Sequence, residues 1–101
     1  MTLEKEYIDW ADKTFPDTTI EAIVHHMWEE IHETIDENST ANHRHETADV
    51  AMLFLHLTSK LGIEVKIESD ILKEAVVDKW EICKNRTWAE PDENGVIRHV
   101  K

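Results

Sequence analysis

Residues 18–36, TTIEAIVHHMWEEIHETID, and residues 46–62, ETADVAMLFLHLTSKLG, decide the fold of this 101-residue chain. In the first stretch Ile20, Ile23, Val24, Met27, Ile31 and Ile35 recur at intervals of three and four, which places them along one stripe of a helix. Thr18-Thr19-Ile20-Glu21 has capping-box spacing at its start, with Asp17 as a second candidate cap. The second stretch lies in a segment, His43 to Leu61, that is apolar almost all round from Val50 to Leu57. A helix of that character is buried, so it belongs at the centre of the domain or between copies of the chain. Gly62 is placed to end it as a left-handed C-cap, and Asn38–Asn42 reads as the turn joining the two helices.

Outward from this pair, Leu3, Tyr7, Trp10 and Ala11 stand at helical spacing in a segment that stops at Pro16. Downstream, Ser69 can cap a fourth helix through Ile71, Leu72, Ala75, Val76, Lys79, Trp80 and Cys83 to about Arg86. Ile63–Ile67 alternates as a strand does but has no evident partner strand. The end of the chain carries Pro91-Asp92-Glu93-Asn94-Gly95, which is turn chemistry. Only two Gly and two Pro punctuate the sequence, so long helices are favoured over a many-turned β fold. The expectation is one all-α domain over residues 1–101, a bundle of about four helices with a non-helical C-terminal arm, 87–101. A chain this short buries only about two-thirds of its unfolded surface, and oligomerisation completes the core.

Against 22 acids stand 11 Lys and Arg, a formal net charge of −11. That balance argues against a nucleic-acid polymer or an anionic membrane as partner. The single cysteine, Cys83, excludes an internal disulfide and reads as a small buried hydrophobe. With no secretory signal or spanning segment in view, a cytoplasmic protein is expected. Seven histidines invite zinc, yet His32-Glu33 is followed by Asp36 where a second ligand would stand, and no Cys/His spacing exists. Trp28 and Trp80 fit helix packing, whereas Trp10 and Phe15, just before the acidic helix, can either anchor the first helix or form a wall for a nucleobase.

Between Glu29 and Asp49 lie seven acids and one base, Arg44. Glu30 and Glu33 are neighbours on one helix face, and Glu46 and Asp49 are neighbours on the next. Antiparallel packing brings the two pairs around one cavity. Close like charges in a bundle interior repel, and hard divalent cations such as Mg²⁺ or Mn²⁺ resolve the conflict with oxygen ligands. One such pair on a helix is ordinarily a solvated face. Two pairs on adjacent helices, with Ala48 leaving room and Asp49 at the entrance of the apolar segment, leave solvated face and metal site as equal alternatives.

Glu29-Glu30-Ile31-His32-Glu33 followed by Glu46-Thr47-Ala48-Asp49 resembles the E-E-x-x-E … E-x-x-D signature of the MazG-like all-α nucleoside triphosphate pyrophosphohydrolases. Lys79-Trp80 and Lys84-Asn85-Arg86-Thr87-Trp88 resemble the basic end of that family's last helix, and Trp88 to Val100 resembles the dATP/dGTP branch common in phages. Where many relatives carry an Asn two residues before the helix Lys, this chain has Val77. The resemblance implies hydrolysis of a deoxynucleoside triphosphate, purine favoured (dGTP or dATP), to monophosphate and pyrophosphate. It implies two or more Mg²⁺ or Mn²⁺ ions held by Glu30, Glu33, Glu46 and Asp49, with Glu30 or Glu33 orienting the attacking water. Lys79, Lys84 and Arg86 would meet the phosphates, their alternative role being to complement the helix dipole. It further implies a homo-oligomer, dimer or tetramer, in the host cytoplasm if phage-encoded. The rival expectations are a pyrimidine (dUTP or dCTP) pyrophosphatase on the same scaffold and a non-enzymatic acidic helical module for a basic partner.

Overall fold

The computed structural model describes residues 2–36 and 40–100, with side chains described up to Glu33 and again from Glu46. The chain order is α1 (Leu3–Thr14), α2 (Ile20–Asp36), α3 (Thr40–Lys60) and α4 (Asp70–Lys84), with no named strand among the described residues. Each boundary has a local cause. Thr2 caps α1 by accepting from the Lys5 amide, and the chain leaves the helix at Phe15, before Pro16. Thr19, one residue after the start of the expected capping box, caps α2 by accepting from the Ala22 amide at 3.1 Å. Ser69 caps α4 through the Leu72 amide at 3.2 Å. α4 ends at Lys84, two residues earlier than expected, with Asn85 as its C-cap.

α3 begins at Thr40, so its first turns occupy part of the segment expected to form the Asn38–Asn42 turn; residues 37–39 lie outside the described residues. The side chains of Ile35, Asp36, His43, Arg44 and His45 also lie outside them. α3 ends as its sequence directs. Gly62 takes φ +74°, its amide donates to Ser59 O and the Ile63 amide donates to Thr58 O, which satisfies two of the last carbonyls.

α3 is the central helix and packs against α1, α2 and α4. Its Ala48, Met52 and Leu55 join Tyr7, Ala11, Ile67, Val76 and Cys83 in the core. Cys83 is buried and free, as a small hydrophobe should be. α2 differs from expectation. Ala22, Ile23, His26, Glu30 and Glu33 cluster on the inward side of the helix at 100° per residue, whereas Ile20, Val24, Trp28 and Ile31 fall on the opposite side. Trp28, expected in the packing between helices, is therefore 62% exposed, with Val24 at 49% and Ile31 at 46%. Its ring lies against His32, centroids 4.1 Å apart.

Residues 87–100 return across the bundle. Trp88 and His99 form an isolated antiparallel bridge, with the Ala89 amide donating to Arg98 O and the Val100 amide to Thr87 O. At the bend Asp92 Oδ1 accepts from the amides of Asn94 and Val96. Gly95 sits at φ +79°, where a Cβ would stand 3.0 Å from the Ala22 Cβ. Both the left-handed backbone and the close approach call for glycine.

Candidate active site

A cavity of about 480 Å³ is walled by all four helices and the arm. Its polar end is built where the C-terminal half of α2 meets the N-terminal half of α3. There Glu30, Glu33 and Glu46 each place a carboxylate oxygen within 4.8 Å of the others. Glu30 and Glu33 reach the same side because they are three apart on α2, and Glu46 faces them because α3 runs back alongside. Burial pushes the Glu30 and Glu46 carboxyls up to about 7, and the two interact directly. A proton shared between such close carboxylates relieves part of their repulsion. Oε2 of Glu46 is buried with no hydrogen-bond partner among the described residues. Clustered hard oxygen donors, one of them buried and unsatisfied, fit a hard divalent cation such as Mg²⁺ or Mn²⁺.

Asp49, the fourth ligand that the sequence pattern implied, lines the same cavity but stands outside that group of three. Its Oδ2 lies 3.4 Å from Nζ of Lys79, itself only 9% exposed. Burial raises the Asp49 carboxyl while Lys79 opposes that rise. Arg86 also lines the cavity. Lys84 does not: its Nζ pairs with Glu81 at 2.6 Å and lies 4.4 Å from the Trp80 ring centroid, so it serves the surface of α4.

Aromatic side chains line the same cavity. Trp10 and Phe15 both line it and meet edge to face at 5.7 Å, and Phe15 meets Trp88 of the arm at 5.0 Å. Trp88 in turn faces His99, and Trp10 faces Trp80. Trp88 and His99 were not singled out from sequence as wall residues; the only signal was an aromatic in the tail. His56, buried to 3%, lines this region from α3 and stands 3.0 Å from Asp12 Oδ1 through Nε2. With Nε2 donating to that carboxylate oxygen, the ring is neutral or protonated, and burial lowers its affinity for a second proton. His26, 3.3 Å from Glu30 and four residues before it, is likewise held toward its neutral form by burial. Its i, i+4 spacing was available in the sequence.

The cavity thus offers clustered oxygen donors, the cations of Lys79 and Arg86, and a lining of aromatic side chains. Ala22 and Glu30 are eight residues apart on α2, or about 12 Å of helix. The donor set and the aromatic lining together suit a ligand with an anionic head and a ring system.

Comparison with known proteins agrees. The family model described as dATP/dGTP pyrophosphohydrolase matches residues 3–101. A dATP/dGTP diphosphohydrolase of Cyanophage S-2L is 34% identical over 98 residues, covering 97% of this chain and 85% of the relative. One of Salmonella phage PMBT28 is 35% identical over 101 residues; there the chain spans only 30% of the relative's length. Among solved structures, the Cyanophage S-2L MazG-like pyrophosphohydrolase bound to dGDP and three catalytic Mn²⁺ ions per active site superposes with a TM-score of 0.53. It shares 30% identity with this chain and the match covers 98% of this chain and 94% of that one. The all-α fold with four helices is the MazG-like one, and this chain belongs to the dATP/dGTP pyrophosphohydrolase family.

Proposed function

We propose that this chain hydrolyses a deoxynucleoside triphosphate, a purine one in preference (dGTP or dATP), to the monophosphate and pyrophosphate with Mg²⁺ or Mn²⁺. The observation that carries the proposal is the cluster of Glu30, Glu33 and Glu46 oxygens within 4.8 Å, in a cavity that Trp10, Phe15 and Trp88 also line. The relatives named for dATP and dGTP and the dGDP-bound neighbour support the substrate class. The same neighbour's three Mn²⁺ ions support more than one cation per site.

Glu30, Glu33 and Glu46 would hold the cations, with Asp49 completing the set once released from Lys79. Divalent cations bound there supply charge neutralisation for the phosphates and a water acidic enough to attack phosphorus near neutral pH. The chain's own part is orientation and charge. Glu30 or Glu33 directs the attacking water and receives its proton at a carboxylate oxygen. Lys79 Nζ and the Arg86 guanidinium face the leaving pyrophosphate, the latter able to engage two oxygens at once. Trp10, Phe15 and Trp88 give the base a surface on which to stack. A panel of the four dNTPs, dUTP and the ribonucleotides, assayed for pyrophosphate with Mn²⁺, tests this directly. The expected result is turnover of dGTP or dATP above the pyrimidines; inertness toward every nucleotide sinks the proposal.

The outward stripe of α2, Ile20, Val24, Trp28 and Ile31, is where we place a second copy of the chain. Aromatic and aliphatic side chains exposed in one continuous row are the composition of an interface rather than of a solvated face. Light scattering should give at least a dimer, and Trp28→Lys should shift it toward monomer. Among the described residues no helix is long and apolar enough to cross a membrane.

A further inference from the structure

Glu29 and Glu30 are adjacent, and the structure gives them different work. Glu30 turns into the cavity. Glu29, 100° away around α2, lies on the flank that also carries Ala22, seven residues earlier. The arm runs along that flank. Gly95 approaches Ala22 closely enough that no side chain fits between them, and Val96 beside it is buried. About two helical turns further on, Arg98 grips Glu29 with both nitrogens: Nη1 to Oε2 at 2.7 Å and Nη2 to Oε1 at 2.7 Å. Nη2 also reaches Asp92 Oδ2 at 3.1 Å, so the same guanidinium ties the arm's bend to its returning segment. A planar fork on a carboxylate fixes direction as well as distance. Between these two fastenings the arm presents Ile97 to the cavity, which Trp88 and His99 also line.

We propose that Glu29 is a positioning residue rather than a metal ligand: paired with Arg98, it holds the C-terminal arm as the wall against which the nucleoside half of the substrate packs. This rests on the nucleotide-hydrolase function proposed above and assigns its nucleoside specificity to the arm. Two consequences separate it from a phosphate-binding role for Arg98. The guanidinium is committed to Glu29 and Asp92, so it has little left to offer an anion. Loss of the clamp loosens the wall while the carboxylates and Lys79 stay where they are, so binding suffers more than chemistry.

The test is a double-mutant cycle with Glu29→Gln, Arg98→Ala and the two combined, using dGTP and dATP as substrates and inorganic tripolyphosphate as a competitive inhibitor without a nucleoside. Arg98 is half exposed and Glu29 sits at the surface of α2, so the variants keep the core intact. Each single variant should raise KM about tenfold with kcat within about threefold. The double variant should be no worse than either single one, because both changes remove the same pairing. The inhibition constant of tripolyphosphate should stay unchanged throughout. Additive effects, a fall in kcat at unchanged KM, or weakened tripolyphosphate binding would overturn the assignment. A wild-type enzyme that turns over dGTP or dATP while the variants match it sinks the clamp alone. A wild-type chain inert toward every nucleotide sinks the hydrolase proposal and the clamp with it.

Discussion

Replacing Glu33 or Glu46 with Gln should lower Mn²⁺-dependent pyrophosphate release by about 10³-fold, since a lost charge contact to a catalytic cation removes several kcal/mol at 1.36 kcal/mol per decade. The amide is nearly the same size, so packing is preserved. What changes is the donor set: a neutral amide replaces an anionic oxygen among three oxygens that converge within 4.8 Å. Glu33 is exposed and Glu46 half-buried, so neither substitution opens a cavity in the core. Isothermal titration with Mn²⁺ should show the same loss in the absence of nucleotide. Lys84→Gln is the matched control, because Lys84 is occupied with Glu81 and Trp80 away from the cavity and should change turnover less than about twofold. An acidic module that merely attracts a basic partner behaves differently. It would release no pyrophosphate, and it would lose little of its partner binding from one acid in 22.

The pattern of success in the sequence follows from the range of the interactions. All four helices, the Ser69 cap and the Gly62 stop are written in residues within five positions of one another, and they stand in the structure. The three converging glutamates were legible for the same reason, because i, i+3 spacing on neighbouring antiparallel helices leaves little freedom. What could not be read are pairings set by how elements dock. Asp49 with Lys79 joins residues thirty positions apart, His56 with Asp12 joins residues forty-four apart, and Arg98 with Glu29 sixty-nine. Each binds a cation, or a ring nitrogen that can carry a proton, to a carboxylate. In a chain with twice as many acids as bases, sequence offers too many equivalent partners for each base. The misplacement of Trp28 has a related cause. A stripe at intervals of three and four shows that a helix has an apolar face, yet not whether this chain or another copy covers it. On α2 the inward face is shared with the site residues, which leaves Ile20, Val24 and Trp28 outside.

Stability of the metal-free protein should fall as pH rises from about 4.5 to about 7, the reverse of the usual carboxylate behaviour, and divalent cations should restore it. Burial, together with the charges of Asp49 and Glu33 at Glu30 and of Glu30 at Glu46, raises the two to about 7, against 4.5 in the ordinary range. Between those values the folded state holds more protons than the unfolded chain, so raising the pH favours unfolding. The contribution is fully present below about 4.5 and is gone above about 7. His26 and His56 work in the opposite direction below 6.5, because burial lowers them and the unfolded chain then binds the extra protons. Comparison with Glu46→Gln separates the two, since the variant keeps both histidines and abolishes the shared proton. Screening at the open mouth of the cavity reduces the carboxylate effect, which leaves on the order of 1–2 kcal/mol. At pH 5 the thermal midpoints of wild type and Glu46→Gln should nearly coincide; at pH 7.5 the variant should melt about 5–10 °C higher in the presence of a chelator. Adding Mn²⁺ at one hundred times its dissociation constant should stabilise wild type by about 2.7 kcal/mol and reverse that order, because the cation takes the place of the proton among the same oxygens. A variant that melts alongside wild type at every pH, with or without Mn²⁺, would show that the three glutamates carry no electrostatic strain for a cation to relieve.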